Sequence, residues 1–118
     1  MTAARTVTVP TIDAGSVTLP EPPWCAGHAD EHPGYRVDIH HSVPVPVPDG
    51  LIDLHAELVG FPFGTVPVPA SIYIEIIEPG ATLDPSGLRE FAAALVTHAA
   101  LIRGLADRLT TLRAGGAW

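Results

Sequence analysis

Five of the seven cysteine and histidine residues in this 118-residue chain lie within positions 25–41: Cys25, His28, His32, His40 and His41. Thiolate sulfur and imidazole nitrogen are the donors that zinc favours, usually four to an ion in a tetrahedron. Cys25 and His28 are separated by Ala26 and Gly27. That spacing lets one tight turn aim both side chains at a single ion. Further ligands must come from His32, His40 and His41. His41 shares the strand parity of Val37 and Ile39 and faces the core side, whereas His40 points away with Asp38. A ligand on the core side is held more rigidly. Cys25, His28 and His41 are therefore the expected metal ligands, with His32 the first candidate for a fourth position and His40 the second.

A closed set of this kind makes a structural zinc site, which adds folding energy to a small core. Three protein ligands with water in the fourth position make a site suited to hydrolysis. Plainer readings exist for each residue. A histidine-rich loop can be merely solvated, and a lone cysteine after a tryptophan can be a small buried hydrophobe. A thiol nucleophile with a histidine base is a weaker reading: no helix start follows Cys25, and nearby acids oppose thiolate formation.

The elements that position the cluster can be read from periodicity. Residues 1–23 form a Pro-rich arm with two β-prone pieces, Thr6–Val9 and Ser16–Leu19, punctuated by Asp13–Gly15. Residues 24–41 form a Cys/His-rich knuckle. Residues 36–47 alternate as a strand, with Val37, Ile39, His41, Val43, Val45 and Val47 on one face. Pro44, Pro46 and Pro48 remove N–H donors from one lateral side only, which marks a protected edge strand. Asp49-Gly50 signals a turn. Residues 51–59 alternate again, with Ile52, Leu54, Ala56 and Leu58 inward and Asp53, His55 and Glu57 outward. The stretch Gly60–Gly64 is an aromatic turn, and Thr65–Pro69 is extended. A third good strand covers Ser71–Glu78, and Pro79-Gly80 ends it.

The C-terminal segment reads as one helix over 85–113. Asp84 is a plausible N-cap and Pro85 fits the first helical position. Apolar residues recur from Phe91 at steps of four and three, if His98 is counted among them. Such a helix is about 43 Å long, against about 26 Å for an eight-residue strand. It overhangs the sheet, and its spare apolar stripe calls for a second copy of the chain. His98 on the seam is expected to bond a backbone carbonyl. Phe61 and Phe63 are expected in the core, and Trp118 is expected to be disordered or docked on a neighbouring subunit.

Hydrophobic residues make up 47% of the chain, which predicts a packed core. The formal charge is −7, from 13 acids against 6 arginines and no lysine. Binding to nucleic acid or to an anionic membrane needs clustered cations, so both are disfavoured. A single cysteine excludes an intrachain disulfide. Neither a signal peptide nor a membrane span is evident, and the expected compartment is the cytoplasm. The outward Asp53, His55 and Glu57, with Tyr73 and Glu75 across from them, read as a solvated face or a surface for a basic partner.

The pattern Pro22-Pro23-Trp24-Cys25-x-x-His28, then His40-His41-Ser42, an Ile-rich strand, and a helix after Leu83-Asp84-Pro85 carrying Phe91-Ala-Ala-Ala-Leu95 resembles a family of small actinobacterial domains of unknown function. The resemblance covers about residues 20–107 and favours Cys25, His28 and His41 as a set. It implies no activity.

The expected fold is α+β: one domain over residues 1–118, with a small antiparallel sheet of three to five strands and one long C-terminal helix packed on one face. The expected role is a non-enzymatic protein-interaction or regulatory module with a structural zinc site, dimeric through its helix. The alternative is a small metal-dependent hydrolase with an open zinc site near Cys25.

Overall fold

A computed structural model of the chain describes residues 5–29, 31–48, 50, 52–65, 68–77 and 80–118. Within the sequence-expected elements, Asp30, Asp49, Leu51, Val66, Pro67, Glu78 and Pro79 lie outside the described residues. The architecture is α+β. Strands β1 (Arg5–Pro10) and β2 (Ser16–Glu21) form a two-stranded sheet. Strands β3 (His41–Pro44), β4 (Asp53–Phe61) and β5 (Val68–Ile77) form a three-stranded sheet in that order, and α1 spans Pro85–Arg113. Both sheets are antiparallel. The strand number falls in the expected range, but the strands divide between two sheets rather than sharing one. The chain resolves into two compact units, Met1–Val43 with Leu58–Ser71, and Pro44–Glu57 with Ile72–Trp118.

In the first unit, β1 and β2 pair from Arg5↔Glu21 to Pro10↔Ser16. Gly15, at φ 64°, closes the connecting turn, where the Thr11 N–H donates to the Gly15 carbonyl at 2.8 Å. Val9, Leu19 and Ile39 are buried together, with Val7, Val17 and Phe63 against them. The expected strand over 36–47 is corrected at both ends. Arg36–Asp38 is a 3₁₀ turn (η1), and the strand proper is confined to His41–Pro44. Local polar contacts account for the turn: the Arg36 N–H donates to the Asp13 carboxylate at 2.8 Å, and its guanidinium lies 4.0 Å from the Phe63 ring centroid. Val37 is thereby left exposed, whereas Ile39, His41 and Val45 keep the buried parity.

In the second unit, Val45, Ile52, Leu54, Ala56 and Leu105 form the core, with Val47, Ile72, Phe91, Ala94, Leu101 and Trp118 packed against it. The helix thus lays one stripe on one face of the strands. Asp84 caps it by accepting from the Gly87 N–H at 2.7 Å, and Pro85 takes the first helical position. Gly115, at φ 95°, ends it, and the Gly116 N–H returns to the Thr111 carbonyl at 2.9 Å. That reversal carries Trp118 back onto its own chain, with the Arg108 guanidinium 3.9 Å from its ring centroid. Trp118 is therefore ordered and docked on its own chain. His98 is buried, with its Nδ1–H donating to the Ala94 carbonyl at 2.8 Å. Among the described residues, no helix is long and apolar enough to cross a membrane.

Candidate metal centre

Cys25 follows β2 in an irregular segment whose backbone is fixed at several points. The Cys25 N–H donates to the Pro22 carbonyl at 3.1 Å, and Arg5 Nη2 donates to the Cys25 carbonyl at 3.0 Å. The Ala26 N–H donates to the Ser42 carbonyl at 2.9 Å, which seats the loop beside the start of β3. Gly27 then turns at φ 107°, in the left-handed region that side chains disfavour. Its N–H points at the Cys25 sulfur, 3.4 Å away. Sulfur ligated to a metal keeps lone pairs that accept such a donor. The turn delivers His28 to the same point.

The three side chains converge. Cys25 Sγ lies 3.5 Å from His28 Nε2, and His28 Nε2 lies 3.3 Å from His41 Nδ1. All three ligand atoms fall within 4.8 Å of one another. A tetrahedral zinc ion with Zn–S of about 2.3 Å and Zn–N of about 2.05 Å sets S···N and N···N edges of about 3.5 and 3.3 Å. The two observed separations match those edges. Cys25 and His41 are each 5% exposed, and the His28 side chain is 5% exposed. Trp24 covers one side, its ring meeting His41 edge-on at 6.2 Å between centroids. Gly60 packs under it, where an added Cβ would lie 3.7 Å from the indole.

The electrostatics suit a cation. His28 Nδ1 is paired with the Glu31 carboxylate. With Nδ1–H donating to that acid, Nε2 carries the lone pair that faces Cys25 and His41. Burial, and then His28 beside it, push the His41 imidazole below its ordinary pKa, against a smaller upward pull from Glu21. The ring therefore stays neutral, as ligation requires.

The structure leaves His32 and His40 outside this group. His32 is exposed. His40 is half-buried on the opposite parity, its ring tilted against Phe61 at 5.4 Å between centroids and its Nδ1 3.1 Å from the Asp38 carbonyl. An open cleft of about 370 Å³, lined by Ala26, Gly27, His28, Ala29, Glu31 and His40, borders the site. Glu31 is the residue that sequence reasoning passed over. Its signal was its place three residues after His28, which becomes a contact only because the Glu31 N–H closes a turn onto the His28 carbonyl at 3.2 Å.

No curated protein and no solved structure matches the chain. A family model does match, over residues 6–111, a span that includes the Cys/His/His cluster and nearly all of the hairpin and of α1. The chain accordingly belongs to DUF6907, a family of domains of unknown function.

Proposed function

We propose that Cys25, His28 and His41 hold a zinc ion, and that the protein is a metal-stabilised interaction module rather than an enzyme. The match between the two ligand separations and the edges of a zinc tetrahedron carries this reading. Three further observations support it. The ligands are buried, as in sites that serve folding. A carboxylate orients His28 from behind, the usual support for a ligating imidazole. The ion would join the loop after β2 to the first residue of β3, where the hydrophobic cluster is small. Metal binding energy then becomes folding energy for that unit.

Elemental analysis of protein purified without a histidine tag tests the reading, alongside Cys25→Ser and His41→Ala variants. The expected result is about one zinc per chain, lost in both variants together with thermal stability. Wild-type protein with no metal, and variants that melt unchanged, would overturn it.

One observation favours a second reading as a small metal-dependent hydrolase. Three described protein ligands leave one tetrahedral position, and the cleft beside them is bordered by His28. Cobalt substitution separates the two. A spectrum that shifts on adding azide means an exchangeable fourth position and supports the hydrolase. A spectrum indifferent to azide means a closed site and supports the module.

A further inference from the structure

Of eleven large hydrophobic side chains exposed among the described residues, eight lie in the second unit, and four of these are on β5: Tyr73, Ile74, Ile76 and Ile77. Ile76 is 68% exposed and Tyr73 47%. β5 is the outer strand of its sheet, paired with β4 on one side among the described residues. An outer strand usually carries a proline, a lysine or a bulge that discourages further pairing. The opposite outer strand, β3, ends in Pro44, with Pro46 and Pro48 following. β5 carries Pro69 near its start, but its Ile72–Ile77 portion has no proline and no basic residue.

The segment is also self-complementary. Ile72-Tyr73-Ile74-Glu75-Ile76 reads alike in both directions except at Tyr73 and Glu75. Antiparallel pairing of two copies about Ile74 sets Ile74 against Ile74 and Ile72 against Ile76. It also sets Tyr73 against Glu75. The first two pairs join apolar side chains on one face, and the third joins a phenol donor to a carboxylate acceptor on the other. Glu75 first, by its charge, and then desolvation hold the Tyr73 phenol above its usual pKa, with smaller contributions from a hydrogen bond to Glu75 of its own chain and from Glu57. A register shifted by two residues, centred on Glu75, would instead oppose two carboxylates. Antiparallel self-pairing is moreover the arrangement a two-fold axis produces.

We propose that two copies of the chain pair through β5, antiparallel and centred on Ile74, to continue the three-stranded sheet across a two-fold axis. The occupant of this edge is a second copy because the register that buries its isoleucines also matches its one acid to its one phenol. The pairing involves none of the metal ligands, so it stands or falls separately from the zinc site.

Light scattering on the full-length protein, with metal retained, gives the first measurement: a dimer is expected, and a strict monomer overturns the proposal. Ile74→Lys and Ile76→Lys are each expected to weaken association by about a hundredfold, with far-UV circular dichroism unchanged. Leu95→Lys and Ile102→Lys, on the exposed stripe of α1, are expected to leave it intact. The reverse pattern overturns the proposal in favour of a helix seam. Disulfide trapping reads the register without depending on the charged variants. Ile74→Cys places two thiols on directly opposed residues about 4.5–5.5 Å apart at Cα, within disulfide reach. Ile76→Cys alone faces Ile72 of the second copy, and its own counterpart is four residues away, about 13 Å. Rapid covalent dimer with Ile74→Cys and none with Ile76→Cys supports the register. Any other pattern overturns it.

Discussion

The two compact units are stabilised in different ways. The unit built on α1 gathers Val45, Ile52, Leu54, Ala56 and Leu105 into one apolar cluster and fastens the helix across it. The unit built on the β1–β2 hairpin has Val9, Leu19 and Ile39 as its cluster and, apart from it, the buried Cys25 and His41 with His28. Apolar burial is nondirectional and tolerates loose placement. A ligand cluster works only within a few tenths of an ångström. The hairpin unit accordingly spends its backbone hydrogen bonds on position. Arg5 holds the Cys25 carbonyl, Ala26 holds Ser42, and a left-handed glycine sets the angle between Cys25 and His28. A small domain can thus use two sources of stability, and each should respond to its own perturbation.

The largest effect is expected from removing the metal. Chelation, or Cys25→Ser, should abolish hydrogen-exchange protection around Leu19, Ile39 and His41. Amides of Leu54, Ala56 and Leu105 should keep most of theirs. Structural zinc sites supply about 10 kcal/mol or more of binding energy, so partial retention around His41 would count against the ion as the source of order there. Next comes Leu105→Ala. Its side chain is 3% exposed in the apolar cluster, and emptying such a site costs about 2–5 kcal/mol. Denaturant unfolding should show that loss while zinc content stays unchanged. A drop in zinc content would break the contrast between the units.

Much of this division was legible in the sequence, for physical reasons that differ by element. α1 was readable because Asp84 and Pro85 are local signals that act within one turn and the apolar recurrence from Phe91 follows the helical period. β4 was readable because a strand with one face on an apolar cluster must alternate, and Leu54, Ala56 and Leu58 do. The segment 36–47 was half readable. Parity survived at Ile39 and His41 because the chain there is extended, but η1 depends on Asp13 and Phe63, which are distant in sequence. The separation into two sheets was not readable either, since alternation reports a buried face and not a partner strand. In the site, Cys25 and His28 were marked by spacing and His41 by parity. Glu31 was not marked, because its contact is made by a turn rather than by periodicity.

Glu31 gives the next prediction. Glu31→Gln keeps the size and a hydrogen-bonding oxygen but removes the charge behind His28. Loss of an orienting partner usually lowers metal affinity by 10- to 100-fold, or about 1.4–2.7 kcal/mol. Competition with a chromophoric chelator should show a loss in that range with stoichiometry still near one. An unchanged affinity would mean that the Cys25–His28 turn alone orients the ring.

The smallest pair of effects is also the sharpest test of the contrast, because one substitution should act with opposite signs in the two units. Gly27 and Gly104 both have open space where a Cβ would go, with no atom within 4 Å. Steric crowding therefore plays no part, and only backbone conformation remains. At Gly27, φ is 107°, and an alanine held in a sparsely populated region costs about 1–3 kcal/mol. Gly27→Ala should lower both zinc affinity and melting temperature. At Gly104, inside α1, alanine is the better helix former by about 1 kcal/mol. Gly104→Ala should raise the melting temperature and leave zinc affinity where it was. If both variants shifted stability in the same direction, backbone conformation could not be the term that distinguishes the ligand turn from the helix. If Gly27→Ala lowered stability but bound zinc normally, the turn would serve the fold of the hairpin unit without setting the ligand geometry.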